Sequence, residues 1–111
     1  DGSVDLPFDI ETGERLPEVW DRWLRWDPVV RAREPEGAEI LRDLQAVWID
    51  SGRSDEYHLD LGAVAFHRAV VAAGTPTERV HFELFPGTHR GLTWRYPLSL
   101  AFLVGRLSIT L

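Results

Sequence analysis

The sequence predicts an α/β fold in which two parallel strands are flanked by helices. Two short apolar runs, at 46–49 and 80–85, end in turn-forming residues, which is typical of buried strands. Between them, apolar residues recur at spacings of three and four, which predicts an amphipathic helix of about four turns. Strands joined by such a helix run parallel. We therefore divide the chain into an irregular and helical, Trp-rich segment that packs on the sheet (1–44) and a strand–helix–strand–helix unit (45–111).

The first segment carries signals for short helices and turns. Residues 5–14 are rich in turn formers and predict irregular structure. A helix is predicted over 17–26, because a proline suits its first turn and its apolar residues share one face. It should end before Pro28, since the residue preceding a proline is pushed out of the helical region. A short helix is expected at about 37–44.

The second segment contains the elements of the sheet. The crossover helix should end at Gly74, because glycine commonly stops helices. Pro86 and Gly87 end the second strand, and Pro97 can open the last helix. The apolar positions of the crossover helix are Leu59, Ala63, Phe66, Val70 and Ala73.

Two strands do not make a complete sheet, because their outer edges stay unpaired. The chain also lacks an initiator Met and opens in a predicted loop. We therefore expect a fragment of a larger α/β domain. Such a fragment should bury too little apolar surface to fold robustly alone. It should be held by the remainder of the protein or paired with itself through the open sheet edge.

Composition excludes several functions. The 12 basic residues are outnumbered by 18 acidic ones, giving a net charge of −6, and they form no basic stripe. No nucleic-acid partner is therefore expected. Cysteine is absent, which excludes disulfides, thiol nucleophiles and cysteine metal sites. No apolar run approaches the roughly 20 residues that a membrane span needs, so no membrane partner is expected.

Polar turns follow both strands, at the edge where open α/β sheets form their ligand sites. The first turn, 50–57, contains acidic residues, and the second, 85–91, contains a histidine between glycines. Neighbouring strands lie about 5 Å apart, so the two turns should lie side by side. We expect Asp55 to hold the imidazole of His89, 34 positions later, as the acid and base of a hydrolytic triad.

Other residues could take these roles. Asp50 is an alternative acid, although at the strand end it could instead fix the turn through bonds to backbone amides. Glu56 is a second alternative acid, and could instead pair with Arg53. His58 follows the acidic turn and could touch the site.

The remaining histidines do not suggest a metal site. His67 is expected on the solvent-exposed side of its helix, and His81 should be packed or hydrogen-bonded in its strand. No His-x-x-x-His or His-Glu-x-x-His pair occurs. The spacing of Asp9, Glu11 and Gly13 is more typical of a solvated turn than of a calcium-binding loop. No metal is expected.

Three tryptophans lie close together in the first predicted helix. Trp20 and Trp23 share a helix face, and Trp26 follows. Burial in the core is the favoured interpretation, because indole rings contribute large apolar areas. The alternative is that they line an acyl pocket or form a cap.

The second segment resembles the C-terminal end of an esterase family of α/β-hydrolases. The resemblance is carried by the strand and turn at 47–59, the strand and Gly-Thr-His turn at 82–91, and the sequence at 95–100. That family is similar to S-formylglutathione hydrolases, enterochelin esterases and mycolyltransferases. The resemblance extends upstream and covers nearly the whole chain, through 6–9, Gly13 and 23–28.

The resemblance implies the C-terminal part of an α/β-hydrolase fold and a serine carboxylic-ester hydrolase, with no cofactor and a small-molecule ester as substrate. The family's Gly-x-x-Asp turn supplies the triad acid, which falls on Asp55. Its Gly-Thr-His turn supplies the base, which falls on His89. In such hydrolases the serine precedes both and lies in Gly-x-Ser-x-Gly. That motif is absent from the chain, so the serine and the oxyanion hole are expected upstream and the fragment alone should be inactive.

A non-catalytic function is the alternative. The chain would then belong to an interaction or regulatory module that keeps the α/β-hydrolase architecture without its chemistry. The upstream sequence discriminates between the two, because a nucleophilic serine supports the enzyme and a replaced serine supports the module.

Overall fold

Three helices precede a strand–helix–strand–helix unit within residues 3–107, which are the residues that this computed structural model describes. The two strands pair in parallel, from Val47 opposite Val80 to Gly52 opposite Phe85. The predicted α/β architecture, two parallel strands with flanking helices, is thereby confirmed. No helix within 3–107 is long and apolar enough to cross a bilayer. The elements are α1 Pro17–Leu24, α2 Pro28–Arg33, α3 Pro35–Asp43, β1 Val47–Gly52, α4 Leu59–Ala72, β2 Val80–Phe85 and α5 Tyr96–Val104.

Helices cover both faces of the sheet. On one face, alternate residues of β1 are buried against α4, which is the crossover helix. On the other face the ring of Trp48 contacts Phe102 of α5 edge-on, with 5.4 Å between ring centroids. Alternation of side chains along β1 therefore directs α4 and α5 to opposite sides. The buried core residues are Ala32, Leu41, Val47, Ile49, Ala69, Val70 and Ala73.

The helix α2 is not predicted from the sequence. α1 ends at Leu24, two residues before the predicted end, and Asp27 then caps α2. The Oδ1 atom of Asp27 accepts hydrogen bonds from the amides of Val29 and Val30, at 2.7 and 3.3 Å. The Asp-Pro pair that stops one helix also begins the next, because aspartate is a good N-cap and proline suits the first turn. α2 and α3 lie against α4, and each contributes one residue to the core.

The expectation that the three tryptophans pack into the core is wrong. Trp20, Trp23 and Trp26 are 38%, 46% and 80% exposed. The helix α4 covers the sheet and α2 and α3 pack against α4, while the apolar face of α1 borders an open groove. Helical periodicity identifies this face correctly but cannot say what it faces.

The expectation that His67 faces solvent is also wrong. Its ring is half-buried and stacks on Phe82 of β2, with 4.2 Å between ring centroids and 5° between the planes. α4 lies directly over the sheet, so the side of the helix that carries His67 meets β2. The next residue, Arg68, is exposed.

The described residues leave much apolar surface uncovered. Their radius of gyration is 17.0 Å, against about 13 Å for a compact domain of this length. Each strand has one edge without a partner among residues 3–107. Both the strand edges and the exposed apolar side chains can therefore contact other polypeptide or ligands.

Candidate active site

The two turns that follow the strands lie in direct contact. The parallel ladder continues past the strand ends, because the amides of Arg53 and Ser54 donate to the carbonyls of Phe85 and Gly87, both at 2.9 Å. Gly52 permits this approach. A Cβ atom at that position would lie 2.5 Å from the carbonyl oxygen of Gly87, closer than any van der Waals contact allows.

This contact brings together Asp55 and His89, the two residues singled out by the sequence. Nδ1 of His89 lies 3.1 Å from Oδ2 of Asp55. The Asp55 side chain is 4% exposed and that of His89 is 41% exposed. One partner is therefore shielded, and the other presents its ring to solvent and to a cleft.

The carboxylate of Asp55 is held in its ionised form. Burial alone would raise its pKa, but the amide of Tyr57 and the ring of His89 more than compensate and hold the pKa below its ordinary value. The amide of Tyr57 donates to Oδ1 at 2.8 Å, which leaves Oδ2 for the ring. An ionised carboxylate can only accept, so Nδ1 must carry the proton. In the neutral ring Nε2 then has a free lone pair and can accept a proton.

Glu56 holds the backbone of His89 instead of its ring. The amide of His89 donates to Oε2 of Glu56 at 3.0 Å, and this bond lowers the pKa of Glu56. The ion-pair partner of Glu56 is Arg90, at 3.9 Å, and the expected pair with Arg53 does not form. Adjacent carboxylates therefore fix the same histidine at two points, one on the ring and one on the main chain.

Asp50, the other alternative acid, faces Arg95. Nε of Arg95 donates to Oδ2 of Asp50 at 2.8 Å, and Nη2 donates to Glu83. Asp50 and Glu83 lie opposite each other in the strand register, so the guanidinium neutralises two carboxylates that would otherwise repel. The Arg95 hydrogen bond lowers the pKa of Glu83, and the Glu83 carboxylate raises the pKa of Arg95.

Arg95 was not singled out from the sequence as a functional residue. It is 5% exposed, and its guanidinium lies 4.5 Å from the ring centroid of Phe85 and 4.7 Å from that of Trp94. A signal was present, because Asp50 and Glu83 occupy matching positions in the two strands. Two acids that face each other in one strand register repel, which favours a cation between them.

We expect Arg95→Met to destabilise the fold by about 2–4 kcal/mol, because two facing carboxylates lose their shared partner while remaining partly accessible to water. Urea unfolding measures this change. Asp50→Asn combined with Glu83→Gln in the Arg95→Met background is the matched variant, and it should recover a substantial part of the loss. If the neutralised triple variant is as unstable as Arg95→Met, the guanidinium stabilises the fold through packing and not through charge.

A cleft of about 240 Å³ lies beside His89. Asp55, Arg95 and Leu59 contribute to its walls, and so do two serines. Neither serine forms a hydrogen bond to His89. Ser51 is buried in β1, and the hydroxyl of Ser99 donates to the carbonyl of Tyr96 at 3.1 Å. The histidine base therefore lacks a hydroxyl partner from either of them.

The other histidines lie outside this cleft. His58 precedes α4 in a left-handed conformation, with φ of 58°, and is exposed. His81 stacks on Trp48 at 3.7 Å between centroids, with Nε2 at 3.4 Å from Glu83, as expected for a packed strand residue. Within residues 3–107 no group of three or more His, Asp or Glu side chains is arranged to hold a metal ion.

Comparison with known proteins does not assign the chain to a family. No family model matches the sequence, and neither the curated proteins nor the solved structures contain a match. The functional argument therefore depends on the geometry of the acid, the base and the cleft.

Proposed function

We propose that this chain is the C-terminal part of a serine carboxylic-ester hydrolase with an α/β-hydrolase fold. The observation that carries the proposal is the 3.1 Å contact between Nδ1 of His89 and Oδ2 of Asp55, at the edge where both parallel strands end. An acid after one strand and a histidine after the next is the chain order of this class of hydrolase. In this proposal Asp55 is the triad acid and His89 is the base.

Acylation of the enzyme uses the free lone pair of His89. Nε2 accepts the hydroxyl proton of the nucleophilic serine while the serine oxygen bonds to the ester carbonyl carbon. The tetrahedral intermediate then collapses and breaks the bond to the alcohol oxygen, which takes the proton from Nε2. Asp55 stabilises the transient imidazolium, and its low pKa keeps it ionised throughout.

Deacylation repeats the same proton transfers with water. Water gives a proton to Nε2 of His89 while its oxygen bonds to the acyl carbon, and the serine oxygen leaves with that proton. The products are a carboxylic acid and the regenerated serine. Backbone amides placed near the carbonyl oxygen would stabilise both tetrahedral intermediates.

The nucleophile and the oxyanion hole are proposed to come from polypeptide outside these 111 residues. Gly-x-Ser-x-Gly does not occur in the sequence. Ser51 and Ser99 lie in the cleft wall but do not hydrogen-bond to His89. The unpaired strand edges offer a place where further strands of the same sheet could add.

Asp55→Asn in the full-length protein tests the proposal. We expect kcat for ester hydrolysis to fall roughly 10³- to 10⁴-fold, because an amide no longer holds the imidazole in the required tautomer. Asp43→Asn, at the exposed end of α3, is the matched control and should leave turnover unchanged. Turnover within a few-fold of the parent in Asp55→Asn would refute the triad and favour a non-catalytic module.

A further inference from the structure

A second, larger concavity adjoins the cleft. We call it the Trp groove, and its walls include Trp20, Trp23 and Trp26 on one side and Ile49, Gly62 and Phe66 on the other. Its volume is about 710 Å³, which falls within the range of about 300–1,000 Å³ that is typical of small-molecule sites.

The Trp groove lies next to the cleft that contains His89. Leu59 and Ala63, one turn apart at the start of α4, line both of them. A ligand could therefore place a polar group at His89 and extend an apolar chain past these two residues. Gly62, between these two residues, leaves its side of α4 open, because a Cβ there would meet no atom within 4 Å.

The chemistry of the Trp groove selects an apolar ligand. Asp27 is the one charged residue among those that line it. Oδ1 of Asp27 accepts two backbone amides as the cap of α2, so this carboxylate lies at the start of that helix. Because no cationic side chain lines the groove, an anionic ligand group would be desolvated there without a partner.

One ring of the α1 wall is hydrogen-bonded to the N-terminal segment. The indole nitrogen of Trp23 donates to the backbone carbonyl of Asp5 at 3.0 Å, and the Asp5 carboxylate pairs with Arg22 at 2.6 Å. These contacts orient the ring before any ligand binds. An oriented ring reduces the conformational entropy that the protein itself loses when a ligand binds.

We propose that the Trp groove binds the acyl chain of a medium- or long-chain carboxylic ester. This inference rests on the proposed function. The leaving alcohol takes its proton from His89, whose side chain is 41% exposed, so the alcohol can depart to solvent. The acyl group remains in the site through acylation, when it is part of the ester, and through deacylation, when it is bound to the serine. It is therefore the part of the ester that a binding groove can hold in both steps.

The test compares p-nitrophenyl acetate with p-nitrophenyl decanoate in the full-length protein, because the leaving group is then constant. Burial of each added methylene can raise kcat/KM by at most about fourfold. We expect kcat/KM for decanoate to exceed that for acetate by at least about tenfold. Gly62→Leu fills the Trp groove and should lower the decanoate-to-acetate ratio of kcat/KM at least about tenfold.

Two further variants separate groove filling from loss of structure. Trp26→Ala removes a ring that is 80% exposed, and should lower the same ratio without changing the urea midpoint. Ile40→Ala removes an exposed apolar side chain of α3 outside the groove, and should leave the ratio unchanged. An unaltered ratio in both Gly62→Leu and Trp26→Ala overturns the acyl-chain site.

The outcomes distinguish this inference from the proposed function. If neither ester is hydrolysed in a manner that depends on His89, the proposed function fails. If acetate is hydrolysed with that dependence but decanoate is not preferred, the acyl-chain site alone fails. A marked loss of stability in Gly62→Leu, with short esters preferred by the parent, would assign the groove to packing against other polypeptide of the same protein.

Discussion

We expect the replacement of His89 by glutamine in the full-length protein to lower kcat for ester hydrolysis by about 10⁴- to 10⁶-fold. The expected loss is large because, in the proposed mechanism, the ring is the one group that moves protons in both acylation and deacylation. Glutamine can still hydrogen-bond to Asp55 but cannot accept the serine proton. Steady-state hydrolysis of a p-nitrophenyl ester measures the change.

His58→Asn is the matched control for this replacement. His58 lies three residues after Asp55 but is exposed and outside the cleft. Asparagine tolerates its left-handed backbone, so the turn should keep its shape. We expect turnover within about twofold of the parent. If the two variants lose activity equally, the loss reports disturbance of the turn, and His89 is not the base.

Gly52→Ala should separate the two turns that carry the acid and the base. The new Cβ atom would lie 2.5 Å from the carbonyl oxygen of Gly87 and 2.6 Å from that of Thr88. Both are backbone atoms, so the strand ends must move apart. We expect a loss of about 3–5 kcal/mol, from overpacking and from the two hydrogen bonds that join the turns. Urea unfolding measures it.

The same substitution should also lower activity at least about 10²-fold, because a displacement of about 1 Å between acid and base disturbs proton transfer. Gly62→Ala is the matched control for stability. Its Cβ would meet no atom within 4 Å, and alanine favours the helix by up to about 1 kcal/mol. The control should therefore be as stable as the parent or more so. Equal stability of Gly52→Ala and the parent would show that the turns can separate without cost.

The sheet and the acid–base pair could be predicted because they follow from topology. The period of α4 implied a crossover, and a crossover implied parallel strands. Parallel strands end at the same edge, so turns 34 positions apart had to meet. This argument needs the order of the elements and the types of residues that follow the strands. It needs no knowledge of side-chain packing.

What could not be predicted depends on contacts between elements. The exposure of Trp26 and the burial of His67 are decided by which helix covers which part of the sheet. The period of a helix shows which residues share a face but not what that face meets. The role of Arg95 required the register of the strands, which places Asp50 opposite Glu83. The helix α2 is a different case, because its Asp-Pro pair is a cap followed by a first-turn proline and does indicate a helix start, although the pair is interpreted above only as the end of α1.

Arg95 connects the paired strands to the last helix. Pairing of β1 with β2 aligns two negative charges, and the cation that neutralises them arrives from the residue that immediately precedes α5. We therefore expect docking of the last helix and pairing of the strands to stabilise each other. Loss of the Arg95 contacts would leave Asp50 and Glu83 facing each other in the strand register, close to the point where the two turns touch. The C-terminal helix, which lines the same cleft as Asp55 and His89, therefore stabilises the strand ends that carry these two residues.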